Sequence, residues 1–143
     1  MFIGEYSHNL DTKNRLAIPA KFRTELKSGA VVTRGLDNCL FLLTKKEWQK
    51  LVDKISDLPL GSSQARGFTR VMLAGAMEVK LDSAGRILIP DYLKKYAVIN
   101  KKAVLTGLNS RIEIWDETKW QNYKKEIEKE ADNLAETMGE MGI

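Results

Sequence analysis

Two residue types with reactive side chains are scarce in this chain of 143 residues, and each scarcity narrows the possible chemistry. A single cysteine, Cys39, excludes an intrachain disulfide. Its place in the apolar run at residues 39–43 predicts a small buried side chain rather than a reactive thiol. The one histidine, His8, alternates with polar residues on the same strand-like face as Tyr6 and Leu10, which favours packing over catalysis.

No catalytic or metal-binding pattern replaces these residues. The sequence has no His/Cys cluster with metal-ligand spacing and no glycine-rich phosphate loop. Asp11 and Asp82 could be read as a carboxylate dyad, but turn formation explains each of them more simply. We therefore expect no enzyme activity, no metal, no cofactor and no small-molecule substrate.

Long apolar segments are also missing. No run approaches the roughly 18 apolar residues of a membrane-spanning helix. Residues 1–6 enter strand-like sequence at once, without the basic region or cleavage site of a signal peptide. A hydrophobic fraction of 43% and a charged fraction of 29% are those of an ordinary globular protein. These features predict a cytoplasmic protein without membrane contact.

The net charge of +4 is unevenly distributed. Residues 116–143 contain eight acidic and four basic side chains, a net charge of −4, which leaves +8 on residues 1–115. A basic body with an acidic end is compatible with a polyanionic partner such as DNA. Many proteins with other partners are equally basic.

One unit of nine residues occurs twice. Residues 11–19 read Asp-Thr-Lys-Asn-Arg-Leu-Ala-Ile-Pro, and residues 82–90, which lie 71 positions later, read Asp-Ser-Ala-Gly-Arg-Ile-Leu-Ile-Pro. The match extends outward, and at an offset of 72 it pairs Trp48 with Trp120. A unit of about 50 residues buries too little surface to be stable alone. The repeat therefore predicts a pseudo-dimer with a shared core.

Each copy is expected to open with a β-hairpin and a short helix. Apolar and polar residues alternate before the unit, and the residues after its turn are again strand-like. In the turn Gly85 permits a positive φ, and Asn14, the next-best residue for that conformation, takes the equivalent place. Pro19 and Pro90 fit the first turn of the helix that follows.

Two strands and a longer helix complete each copy. The predicted strands cover residues 30–33, 40–43, 103–106 and 112–115. A capping box at residues 44–47 begins the first long helix, and Asp116 caps the second. The second helix carries one apolar stripe from Trp120 to Met138, which needs a partner either in its own sheet or on another subunit.

A connecting helix is expected between the two copies, over residues 63–75, with Phe68 and Met72 buried. The predicted organisation is a first unit at residues 1–56, a linker and connecting helix at residues 57–72, and a second unit with the terminal helix at residues 73–143.

The repeated arginines, Arg15 and Arg86, are the main candidates for binding. Three further cations lie on or after the first turn: Lys13, Lys21 and Arg23. Cations on a protruding hairpin can contact phosphates, and an arginine fork can also read guanine in a major groove. The residues alone leave two alternatives open, namely solvated surface charges or arginines that pair with the aspartates of their own turns.

The two Asp-x-x-(Gly/Asn)-Arg-x-x-x-Pro units, each in a predicted hairpin before a short helix, resemble the AbrB-type swapped-hairpin family. The tandem units, the opening Met-Phe-Ile-Gly-Glu-Tyr and the terminal helix are similar to the MraZ family within it, over essentially the whole chain. This resemblance implies an α+β fold. Two AbrB-like units, which are swapped-hairpin β-barrels, would form an intrachain pseudo-dimer with flanking helices. Asn14 departs from the glycine of the motif, which bears on the shape of the first turn.

The resemblance also implies a function. Similar proteins are nucleoid-associated bacterial transcriptional regulators. They bind short direct repeats of double-stranded DNA in the promoter of the division and cell-wall gene cluster, as rings of several protomers. The DNA-contacting arginine of the family falls on Arg15 and, by the internal repeat, on Arg86. Because positive charge is denser around the first loop, we expect Arg15 to contribute more than Arg86.

Two other classes remain as alternatives. The first is a structural protein whose ring binds a protein partner through the stripe on the last helix and binds DNA only non-specifically. The second is a small enzyme, for which the sequence offers no pair of nucleophile and base.

Overall fold

The computed structural model describes residues 1–143 and contains eight strands in two antiparallel sheets. The strands are β1 Phe2–Asn9, β2 Arg15–Ala17, β3 Ala30–Arg34, β4 Leu40–Thr44, β5 Met77–Val79, β6 Arg86–Leu88, β7 Lys102–Asn109 and β8 Ile112–Asp116. The main sheet has the order β1-β7-β8-β4-β3-β5, and β2 pairs with β6 in a two-stranded ribbon. The predicted α+β class and the four predicted inner strands are confirmed.

Six α-helices surround these strands. They are α1 Ala20–Leu26, α2 Lys45–Ser56, α3 Ser63–Thr69, α4 Asp91–Tyr96, α5 Glu117–Lys129 and α6 Ala131–Glu140. The predicted caps Thr44 and Asp116 accept hydrogen bonds from the third residue of α2 and α5. Pro19 and Pro90 lie one residue before α1 and α4, at the N-cap rather than inside the first turn.

Strands of the two halves pair with each other. β1 pairs along its whole length with β7, β5 pairs with β3, and β2 pairs with β6. The predicted hairpins therefore differ from the structure. The first turn is followed by a single bridge, Leu10 with Leu16, and its two strands then separate to join different sheets. Because these two strands separate, the apolar side chains of both halves can enter the same core.

The register shows an internal two-fold symmetry. In the ribbon the symmetry passes through the Leu16–Ile87 pair, whose members lie 71 positions apart in the sequence. In the main sheet it passes through the Phe41–Glu113 pair, whose members lie 72 positions apart. The sequence repeat thus corresponds to a two-fold arrangement of the strands in space.

The main sheet carries an apolar core on each face. Along β4, Leu40 and Leu42 face the larger core together with the ribbon, α1 and α4. Phe41 and Leu43 face the smaller core, against which α2 and the start of α5 pack. Cys39 is also buried in the smaller core, as predicted, and this burial raises the pKa of its thiol.

The connecting segment follows the prediction except at one side chain. The helix consists of α3 and one π-helical turn, Arg70–Ala74. Met72 is buried in the smaller core, as predicted. The predicted burial of Phe68 is wrong, because its side chain is 38% exposed. No residue of α3 is buried, whereas the π turn packs on β3, where the Thr33 hydroxyl donates to the backbone oxygen of Met72 at 2.6 Å.

The predicted terminal helix is two helices, because α5 ends at Lys129 and α6 begins at Ala131. Trp120 packs against the smaller core, and Ile127 is half-buried. No residue of α6 is buried, and Leu134 is 46% exposed. The first part of the stripe therefore covers the protein's own sheet, whereas the part on α6 has no partner within the chain.

None of the helices combines the length and the apolar character that crossing a bilayer requires.

Candidate nucleic-acid interface

The β2–β6 ribbon has one buried face and one outward face. Leu16 and Ile87 point into the larger core, and the alternating residues lie on the other face. The outward residues are Arg15, Ala17, Arg86 and Leu88. The antiparallel register places the two arginines diagonally across the ribbon, so the structure brings together the two arginines that the sequence singled out.

Both turns before the ribbon are closed by their aspartate. Asp11 Oδ1 accepts hydrogen bonds from the backbone N–H groups of Lys13 at 2.9 Å and of Arg15 at 2.8 Å. The second turn has two equivalent bonds, both of 2.9 Å, to Asp82 from Ala84 and Arg86. The bond from the backbone N–H of each arginine is the main reason that the pKa of both carboxyl groups lies below its usual value.

The second oxygen of each aspartate orients an arginine side chain. Arg15 Nε donates to Asp11 Oδ2 at 2.7 Å, and Arg86 Nε donates to Asp82 Oδ2 at 2.9 Å. Arg86 Nη1 also lies 3.6 Å from Asp11 Oδ2, which links the two turns. The sequence left two alternatives for these arginines, solvated surface charges or pairing with the aspartates of their own turns. The structure shows the pairing.

This pairing uses only one of the N–H donors of each arginine side chain. A guanidinium has five N–H groups, and the hydrogen bond to the aspartate uses the Nε group alone. The side chains of Arg15 and Arg86 are 35% and 33% exposed. Each guanidinium is thus held in one orientation on a side chain that is about one-third exposed, and its remaining N–H groups form a planar fork that can bind a phosphate or a base edge.

The other predicted cations fall into two groups. Lys13 and Lys21 are exposed, and neither forms an ion pair within the chain. Arg23 is half-buried, and its Nε donates to the backbone oxygen of Ile18 at 2.7 Å. Its guanidinium lies directly against Gly85 of the second turn, since a Cβ atom at Gly85 would be 2.5 Å from Arg23 Cζ.

Two residues of this region were not among the predicted site residues. Lys94 on α4 donates from Nζ to Asn14 Oδ1 at 3.1 Å, and its separation of 71 positions from Arg23 was the available signal. Leu88 lies opposite Arg15 in the ribbon and is 54% exposed. Alternation from the buried Ile87 would have predicted this outward position.

Asn14 and Gly85 have φ angles of 61° and 75°, so both turns contain the predicted left-handed residue at the same place. The exchange of glycine for asparagine leaves the backbone conformation of the turn unchanged.

Comparison with known protein families gives a match over nearly the whole chain. The family model described as "MraZ protein, putative antitoxin-like" matches twice, at residues 1–71 and 72–140. Proteins named "Transcriptional regulator MraZ" are 46% identical in Natranaerobius thermophilus and in Alkaliphilus oremlandii, and 48% identical in Clostridium tetani. Each alignment covers 143 residues and 100% of both chains. This chain belongs to the MraZ family.

Proposed function

We propose that this protein is a transcriptional regulator that binds double-stranded DNA sequence-specifically. Its targets would be short direct repeats in the promoter of the bacterial division and cell-wall gene cluster. The observation that carries the proposal is the pair of arginines on one face of the ribbon, each oriented by its aspartate. The name of the relatives supports the regulatory role. Cytoplasmic location and association with the nucleoid follow from the same proposal.

The ribbon is an element of a kind that a DNA groove admits. A two-stranded ribbon fits into the major groove, which is about 12 Å wide, and arginine forks there bind the O6 and N7 atoms of guanine. We assign this base contact to Arg15 and Arg86. Lys13 and Lys21 supply contacts to phosphates, which fix the register without reading sequence. Leu88 is an apolar neighbour on the same face that can contact a thymine methyl group.

The two halves of the binding face need not contribute equally. Lys13, next to Arg15, is replaced by Ala84 at the equivalent place in the second turn. Greater positive charge beside Arg15 strengthens the attraction to phosphates there. We therefore propose that replacing Arg15 with alanine weakens binding more than replacing Arg86 does.

We further propose that the two repeats are AbrB-like swapped-hairpin units, with the first at residues 1–56, the connecting segment at 57–72 and the second at 73–143. Pairing of β1 with β7 and of β5 with β3 supports this proposal, because each half donates a strand to the other. In this chain the exchange takes place between two halves of one protein rather than between two subunits.

We also propose that the protein acts as a ring of several protomers. A single ribbon with a few Lys and Arg contacts would bind near the ~10⁻⁴–10⁻⁶ M of non-specific complexes. Linked protomers that bind successive repeats can raise the avidity by ~10²–10⁴. The second copy of the chain would cover α6, whose exposed Leu134 has no partner in its own chain. Residues 131–143 carry three acidic and no basic side chains, which complements the basic body of another copy.

The same unpartnered helix supports a second candidate function. An exposed apolar and acidic α6 can instead bind a different protein, with the basic face giving only non-specific affinity for DNA. Assembly that persists while DNA binding shows no sequence preference would favour this alternative.

Electrophoretic mobility shifts with duplexes that contain one, two or three promoter repeats test the proposed function. We expect the affinity to rise with each added repeat. Insertion of about five base pairs between repeats, half of the ~10-bp helical turn, should return the affinity to that of a single repeat, since neighbouring ribbons would face opposite sides of the duplex. Equal affinity for repeats and for a scrambled duplex would contradict the proposal.

A further inference from the structure

Arg23 and Lys94 occupy equivalent positions of the two repeats, and each contacts the turn of the opposite half. Arg23 on α1 lies against Gly85, and Lys94 on α4 donates a hydrogen bond to the Asn14 side chain at 3.1 Å. Asn14 and Gly85 are themselves equivalent, because each is the left-handed residue of its turn. The left-handed residue of each turn is therefore contacted by a cation from the other half.

Backbone hydrogen bonds reinforce these contacts with the same symmetry. Ile18 N–H donates to the Gly85 oxygen at 2.9 Å, and Ile89 N–H donates to the Asn14 oxygen at 2.8 Å. Arg23 Nε donates to the Ile18 oxygen, so this one side chain contacts both the residue directly after β2 and the second turn. Each turn is thus fixed to the residue directly after the strand that carries the arginine of the other half.

The chemistry of the two contacts is matched residue by residue. A Cβ atom at Gly85 would lie 2.5 Å from both Cζ and Nε of Arg23, so the guanidinium leaves no room for a side chain there. Asn14 does have a side chain, and its amide oxygen accepts a hydrogen bond from the more compact ammonium group of Lys94. Arginine faces glycine and lysine faces asparagine. The departure of Asn14 from the family glycine is accompanied by a lysine across the molecule.

We propose that Arg23 and Lys94 are positioning residues. Each contacts the left-handed residue of a turn, and through that residue it positions the arginine that comes next in the sequence. Arg23 acts through Gly85 on Arg86, and Lys94 acts in the same way on the opposite turn. If both residues of one pair are replaced by those of the other pair, the contact is kept. Replacement of only one of them disrupts it. The effect on DNA affinity rests on the proposed function, but the effect on the turn does not.

The first test measures hydrogen exchange of the Arg86 backbone amide in the protein without DNA. Arg23→Lys and Gly85→Asn each break the match, and each should accelerate exchange about tenfold, within the range of coupled neighbours. The double variant recreates the lysine–asparagine pair of the other half, so its exchange rate should return to within about threefold of the wild type. The proposal would be overturned if the single variants exchanged at the wild-type rate. It would also be overturned if the acceleration in the double variant equalled the product of the accelerations in the two single variants.

The second test measures DNA binding at several salt concentrations. A phosphate contact contributes about 0.9 to the log–log salt dependence, and Lys21→Met on the same helix serves as the control that loses one. Arg23→Met should leave this slope unchanged and reduce the preference for repeats about tenfold, with no further loss in an Arg86→Ala background. A reduced slope, or a loss that adds to that of Arg86→Ala, would make Arg23 a phosphate contact instead. If the wild type shows no preference for repeats, the proposed function fails while the amide exchange still decides the positioning role.

Discussion

At the scale of single residues, one carboxylate does two things in each turn. Asp82 Oδ1 accepts the backbone N–H groups that close the turn, and Oδ2 accepts the guanidinium of Arg86. Asp11 does the same for Arg15. This residue could be predicted from the sequence because an aspartate four positions before an arginine acts locally. The contact between Arg23 and Gly85 could not, because it joins residues 62 positions apart.

Replacement of Asp82 with asparagine tests whether the two hydrogen-bonding roles of the carboxylate, rather than its negative charge, matter for DNA recognition. Asparagine has one acceptor oxygen where the carboxylate has two, so either the turn or the guanidinium loses its partner. We expect the preference for repeats over scrambled DNA to fall, although the added positive charge favours DNA in general. The matched control is Asp91→Asn, which breaks an exposed ion pair with Lys95 on α4. An equal change in both variants, measured by competition binding, would contradict the role of Asp82.

The two aspartates also predict a pH dependence. Their pKa values in the folded protein lie below the usual value of about 3.9, because backbone N–H groups bind the charged form. A lowered pKa stabilises the fold at pH values above the unfolded pKa, and this stabilisation is lost as the pH falls through the folded value. Carboxyl chemical shifts of Asp11 and Asp82 should therefore titrate with midpoints below about 3.9. Midpoints at or above about 3.9 would show that the turn bonds do not form in solution.

At the scale of elements, the helix after β8 shows what a periodic pattern can and cannot predict. The apolar spacing from Trp120 to Met138 correctly indicated helix, but it did not reveal the break at Glu130. No proline or glycine marks that position, so the sequence had no breaker signal there. Packing divides the stripe, because α5 lies on the smaller core whereas α6 extends beyond it.

Substitution of Leu134 with aspartate tests this division. The side chain is exposed in the single chain, so the variant should keep the thermal midpoint of the wild-type protomer but form a smaller assembly. Light scattering after size-exclusion chromatography and a thermal melt measure the two quantities. Ile127→Asp on α5 is the contrasting variant, because this half-buried residue should lower the melting temperature. Unfolding of the Leu134 variant would show that α6 packs on its own chain.

At the scale of the whole molecule, the exchange of strands makes the two repeats one cooperative unit. The larger core takes residues from both halves, including Leu16 and Ile87 at the symmetry axis of the ribbon. The repeat predicted a shared core, and the resemblance to the AbrB-type family predicted the α+β class. The pairing of each strand with the other half could not be derived from local patterns, because equivalent apolar strands of either half satisfy the same alternation.

This arrangement predicts that both halves unfold together. Leu16→Ala and Ile87→Ala each remove a buried branched side chain from the same layer, and each should cost about 2–5 kcal/mol. In urea, both variants should lower the midpoint of one transition that fluorescence and circular dichroism report alike. Two transitions, of which each variant shifts a different one, would mean that the repeats fold as independent domains.

The most direct test of the central claim is a fluorescence anisotropy titration of the wild type and Arg15→Ala. The probes are a duplex from the region upstream of the protein's own gene and a scrambled duplex of equal length, each at two salt concentrations. The account predicts tight binding to the repeats that depends steeply on salt and is lost in Arg15→Ala. Equal and weak binding to both duplexes, unchanged by the substitution, would contradict it and favour an assembly that binds a protein partner.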